Sequence, residues 1–193
     1  MAEKTTVVTP ERFGSGFTYD DYIEQIKVNK DRFEQYYNSA QLSDDDVAFF
    51  RRAKDAGATK MLILGEDWCP DVFRGMPVLA KIAEAAGMDV SVLPRDENLD
   101  IMNEYLKNGE FMSIPVPVFF TDDLEEIAHW HERPESANDE MPKITEDVKA
   151  EIGDEDEQEF RRTVRERMQA RYPAWQVETV RELRELLAEK LSL

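Results

Sequence analysis

Cys69 is the only cysteine of the 193-residue chain, and it stands where the apolar run Met61-Leu62-Ile63-Leu64 gives way, through Gly65-Glu66-Asp67-Trp68, to a helical pattern. Pro70 at the first helical position and Asp71 directly after it are helix-start signals. A thiol at such a start faces unpaired backbone N–H groups and the positive helix end, and both favour the thiolate. Asp67 and Asp71 flank the thiol and their charge works the other way, raising its pKa. Arg74 is the only basic residue near it in sequence. The chemistry open to this turn is that of a nucleophilic sulfur: exchange with a disulfide, or oxidation to a sulfenic acid. One cysteine excludes an intramolecular disulfide and a cysteine-rich zinc site. His129 and His131 alternate on a predicted strand and so face one side. No further cysteine or spaced His/Glu set completes a metal site with them, and neither a metal nor a cofactor is expected. Gly14 and Gly16 lack a preceding strand and carry no phosphate-binding signal.

Several elements must position this turn. Met61–Leu64 predicts a short buried strand. The helix after Cys69 carries Phe73, Met76, Leu79, Ala80, Ile82 and Ala83 before ending near Gly87. Pro77 falls inside it and should bend it. Asp89–Leu93 reads as a second strand and Leu99–Lys107 as a short helix, stopped by Asn108-Gly109. Ile114-Pro115-Val116-Pro117 cannot lie wholly within a regular central strand, because each proline lacks a ladder donor. The third strand is therefore placed at Pro117–Thr121, with a turn at Asp122-Asp123 and a fourth strand at Glu126–Trp130. The order from Met61 to His131 is β-α-β-α-β-β, with parallel pairing and one closing antiparallel hairpin.

Before this core, residues 1–16 read as an irregular leader. One helix is predicted at Tyr19–Tyr37, capped by Thr18 and carrying an aromatic stripe that packs on the domain. A second is predicted at Asp44–Ala56, where Ser43 and Asp46 approximate a capping box. After Arg133-Pro134 the chain turns helical and charged, with helices predicted at Ser136–Ile152 (interrupted near Pro142), Phe160–Tyr172 and Val177–Leu191. The last has an apolar face that packs on the domain or on a second copy in a homodimer. The division is thus a leader (1–18), N-terminal helices (19–60), a core (61–134) and a C-terminal helical extension (135–193).

Composition narrows the function classes. Hydrophobic residues make up 41% and charged residues 34%, as in a folded globular protein. The net charge of -18 argues against nucleic acid or anionic membrane as partner, since both require a cationic surface. No apolar run approaches the roughly 18 residues of a membrane span, and the N-terminus has no long apolar signal core. A cytoplasmic location with a reduced thiol is the expectation.

Trp68-Cys69-Pro70-Asp71-Val72 resembles the active-site segment of bacterial thioredoxin-like proteins whose motif reads W-C-P-D-C. Pro77 lies where the thioredoxin superfamily has the kink proline of its active-site helix, and Ile114-Pro115 lies where it has a cis-proline. The resemblance covers about Met61–Pro134. It implies an α/β thioredoxin-like fold, with a central mixed sheet of about four strands flanked by helices and with N- and C-terminal helical extensions. It also implies Cys69 as the attacking thiol and Trp68 as its shield and partner surface. Pro70 and Asp71 complete the motif, and a cis Pro115 holds the Ile114 backbone opposite the sulfur for an extended substrate. Two positions depart from the pattern. Val72 replaces the resolving cysteine, and Ile63 replaces the buried aspartate that assists proton transfer.

Two functions follow. The first is thiol–disulfide exchange through Cys69 alone, with a protein disulfide as substrate and a low-molecular-weight thiol or partner thiol as resolver. The second is a redox-inactive binding module that keeps the fold and its groove. A Cys69 pKa at or above the free-thiol value of about 8.5 weakens the first. Thiol-based peroxide sensing is a minor third reading, because it needs positive charge that only Arg74 supplies locally.

Overall fold

A computed structural model of the protein describes residues 3–4 and 7–193. In chain order the elements are β1 (Glu3–Lys4), α1 (Pro10–Gly14), α2 (Tyr19–Gln25), α3 (Lys30–Ser39), α4 (Asp44–Asp55), β2 (Lys60–Gly65), α5 (Pro70–Ala86), β3 (Asp89–Pro94), α6 (Leu99–Met102), β4 (Val116–Phe120), β5 (Glu125–His129), α7 (Glu135–Ile152) and α8 (Glu157–Leu191). The sheet runs β1-β5-β4-β2-β3. β2 and β3 are parallel, and β2–β4, β4–β5 and β1–β5 are antiparallel. This is an α/β fold on a mixed sheet, and four of its strands are those expected from the sequence. The fifth, β1, pairs Glu3 and Lys4 with Glu126 and Glu125.

Met61, Leu62, Ile63 and Leu64 are fully buried, as an unbroken apolar run in a central strand should be. α5 covers β2 and β3, while α3, α4 and α8 pack on α5. Pro117 stands inside β4 opposite Ile63, and its carbonyl accepts the Trp130 N–H at 3.1 Å. Among the described residues no helix is long and apolar enough to cross a membrane.

Five differences from the sequence reading stand out. β4 runs antiparallel to β2, where the sequence reading has parallel pairing and makes only the closing hairpin antiparallel. The leader is not wholly irregular: Thr9 caps α1, its hydroxyl accepting the Arg12 N–H at 3.2 Å. Residues 1, 2, 5 and 6 of it lie outside the described residues. The helix expected over Tyr19–Tyr37 is two helices. It breaks because the Asp67 carboxylate accepts the backbone N–H groups of Lys27 (2.9 Å) and Val28 (3.3 Å), while Asn29 Nδ2 donates to the Asp67 carbonyl at 2.9 Å. The helix expected over Leu99–Lys107 stops at Met102.

The two C-terminal segments are one helix, α8, which continues through Pro173, and α7 likewise continues through Pro142. An interior proline costs about 3 kcal/mol. Burial of Tyr172, Trp175, Val180, Leu183 and Leu187 along α8, each contributing about 1.5–3 kcal/mol, more than offsets it. Glu182 anchors this helix across the fold, accepting from Trp130 Nε1 at 2.9 Å and from the Glu135 N–H at 2.7 Å.

Candidate active site

Cys69 is the N-cap of α5, with φ −83° and ψ 125°. Its N–H donates to the Glu66 carbonyl at 3.2 Å, and its own carbonyl accepts from Val72 (3.1 Å) and Phe73 (3.2 Å). These bonds seat the thiol at the mouth of the helix. The Ile114–Pro115 peptide is cis, and the Cys69 thiol points to the Ile114 carbonyl with Sγ 3.9 Å from the oxygen. Ile114 and Pro115 are buried, and the Pro115 carbonyl accepts the Glu132 N–H at 2.8 Å. The loop packs closely on α5 at Gly75, where a Cβ would lie a tight 3.2 Å from Pro115 Cγ.

The half-buried Cys69 thiol has its pKa raised. Burial is the main cause and the Asp71 charge adds to it, against the Val72 and Asp71 N–H groups and Arg74, which favour the thiolate. The helix start therefore does not win outright. Asp67, expected to act on the thiol, is instead committed to the α2–α3 junction. Asp71 does face the site. Its carboxylate is nearly buried and lies 2.5 Å from Arg74 and 3.2 Å from Arg133. Burial raises its pKa, and the two guanidiniums restrain the rise.

Arg74 is itself buried. It donates to the Pro70 carbonyl at 2.7 Å and lies over the rings of Tyr172 (4.3 Å) and Trp175 (5.9 Å) of α8. Beyond Arg133, Glu132 pairs with Lys107 at 2.8 Å and with Arg133. Burial works against the Glu132 carboxylate, but those two partners hold its pKa below the ordinary value.

Trp68 is 50% exposed, with the Arg95 guanidinium 5.2 Å from its ring centroid. Arg95 also donates to the Met112 carbonyl at 3.2 Å, so one guanidinium meets both the Trp68 ring and the Met112 backbone. Val72, at the position where the resemblance places a resolving cysteine, is fully buried, as is Ile63. His129 and His131 share a face, their rings 5.1 Å apart. Their nitrogens are engaged elsewhere, His129 Nδ1 with Glu126 at 2.6 Å and His131 Nε2 with the Tyr105 carbonyl at 2.9 Å. Among the described residues no group of three or more His, Cys, Asp or Glu side chains is placed to hold a metal ion.

A groove of about 670 Å³ adjoins the thiol's turn, between α3, the Trp68–Arg74 segment, Met141 of α7 and the first half of α8. Arg32, Arg74, Arg161 and Arg165 line it. Sequence reasoning singled out Arg74 alone and missed Arg32, Arg161 and Arg165, and Arg133 with them. They come from segments distant in the chain, and no local spacing marks them.

A thiol at the start of a helix leaving a central strand, faced by a cis-proline loop, defines a thioredoxin-fold protein. A thioredoxin family model matches residues 16–151, and the chain belongs to that family. A Pseudomonas aeruginosa protein of unknown function, known from a crystal structure, superposes with a TM-score of 0.66 at 14% identity, over 94% of this chain and 98% of that one. An HIV epitope scaffold superposes with a TM-score of 0.57 at 17% identity, over 67% of this chain and 79% of that one. At these identities the likeness concerns the fold. None of the curated proteins matches the chain.

Proposed function

We propose that the protein performs monothiol thiol–disulfide exchange through Cys69 in the cytoplasm. The observation that carries this reading is the half-buried thiol at the α5 N-cap, with Sγ 3.9 Å from the carbonyl that precedes cis-Pro115. The Cys69 thiolate attacks one sulfur of a substrate disulfide, forms a mixed disulfide and releases the other sulfur as a thiolate. Trp68 shields the sulfur and offers an apolar surface to the substrate, and Pro70 opens the helix that carries the thiol. Asp71 sets the local charge. The Ile114 backbone, held by Pro115, aligns an extended substrate. With Val72 in the resolving position, an external thiol attacks the substrate-side sulfur and Cys69 leaves as the thiolate.

The raised thiol pKa favours a second reading, a redox-inactive module that binds a protein partner through the same surface. It lowers the thiolate fraction at neutral pH, although each thiolate formed is the more nucleophilic. Mixed-disulfide trapping with an aromatic disulfide, with and without glutathione, separates the two. Exchange predicts a Cys69 adduct that an external thiol releases. An inert Cys69, or a Cys69→Ser variant that keeps full function, leaves the binding module.

A further inference from the structure

The chain has 42 acidic and 24 basic residues, yet the groove beside the thiol's turn reverses this balance. Four arginines line it against one acidic residue, Asp71, whose carboxylate is already held by Arg74 and Arg133. Among the described residues Arg161 pairs only with Glu157, one helical turn away, with both side chains at least 70% exposed, and such pairs are weak. Arg32 lies over the Phe73 ring at 5.2 Å. Among the described residues neither Arg32 nor Arg165 has an acidic partner within ion-pair distance. Phe73, Met141, Phe160 and Met168 supply apolar lining, and Trp68 and Pro70, the residues on either side of Cys69, also line the groove, whereas Cys69 itself does not.

We propose that this groove binds a low-molecular-weight thiol carrying at least two anionic groups, and that this is the thiol that resolves the Cys69 mixed disulfide. The proposal rests on the exchange reading above. The volume of about 670 Å³ suits a small ligand. Charge selects the same class: at physiological ionic strength the screening length is about 8 Å. A compact anion therefore responds to the arginines around it, whereas an acidic protein also meets the anionic surface beyond them. The arginines hold the anionic groups and leave the ligand's sulfur toward the turn that bears Cys69. The incoming thiolate attacks the substrate-side sulfur of the mixed disulfide. A new disulfide forms between ligand and substrate, and the Cys69 thiolate leaves and takes up a proton from solvent. No net oxidant or reductant is consumed beyond the ligand thiol.

The test loads Cys69 with 2-mercaptoethanol as a mixed disulfide and measures its release by mass spectrometry. The resolving thiols are glutathione and coenzyme A (anionic through carboxylates and phosphates respectively), 2-mercaptoethanol (neutral) and cysteamine (cationic). Each rate is corrected for thiolate fraction and divided by that for a small uncharged cysteine disulfide. At least one anionic thiol should gain about tenfold or more over the neutral one, as charge-assisted contacts predict. The Arg32→Ala/Arg165→Ala variant should lose that gain, its anionic-to-neutral rate ratio falling to about one. Whichever of glutathione and coenzyme A shows the gain identifies the anionic group. No anionic preference, or a preference that survives the double substitution, overturns the proposal and leaves the exchange reading standing. Calorimetry of S-methylglutathione and desulfo-coenzyme A on Cys69→Ser reads the groove without any exchange. Binding abolished by the arginine substitutions supports the anion site even where Cys69 proves inert, and no binding of either probe overturns it.

Discussion

Cys69 sits between opposing influences. Burial and the Asp71 charge raise its pKa, while two backbone N–H groups and Arg74 lower it, and the first pair prevails. Alkylation by iodoacetamide should therefore reach half its plateau rate above the free-thiol value of about 8.5. Asp71→Asn removes a negative charge beside the sulfur and frees Arg74 and Arg133 to act on it. The alkylation midpoint should then move to lower pH, and an unchanged midpoint would show that burial alone governs the thiol. The substitution also strips a nearly buried carboxylate from two guanidiniums, so a loss of about 1–3 kcal/mol in denaturant unfolding should accompany it.

At the scale of elements, the helices that frame the site are tied down by side chains from elsewhere in the chain. Asp46 completes the α4 capping box with Ser43 and meets Arg184 of α8 at 2.5 Å. Burial works against its carboxylate, but the Ser43 and Arg184 hydrogen bonds outweigh that and lower its pKa. A carboxylate depressed in the folded state contributes stability above its unfolded pKa and loses it as the pH falls through the folded one. Asp46→Ala should therefore cost about 0.5–2 kcal/mol at neutral pH, the usual range for a cap. The gap between wild type and variant should close as urea unfolding is repeated below pH about 4. A gap that persists in acid would mean that packing, and not charge, carries the contact.

Over the whole molecule, a net charge of -18 on 193 residues repels itself in the compact state. Raising NaCl from about 0.1 to 1 M shortens the screening length from about 10 to 3 Å. The melting temperature should rise over that range, because relief of surface repulsion exceeds the loss of exposed pairs such as Arg161–Glu157 and Arg181–Glu185. A flat or falling melting curve would show that the specific ion pairs outweigh the general repulsion. The same excess of acid sets the arginine-lined groove apart from the rest of the surface.

Features written in local pattern were legible without the fold. The apolar run Met61–Leu64, the helix start at Cys69-Pro70, the capping box at Ser43 and the proline before a buried strand each depend on neighbours within a few residues. Together they place the strand, the thiol and its facing loop. The breaks and the charges were not legible, because they depend on residues distant in sequence. Asp67 splits the helix expected over Tyr19–Tyr37 by taking backbone N–H groups some forty residues away. Burial along α8 carries that helix through Pro173. The sequence alone determined where the sulfur stands. Only the tertiary structure decided how acidic it is and what lies beside it, because desolvation and charge act through space and the chain brings Arg32, Arg133 and Arg165 to the site from three separate segments.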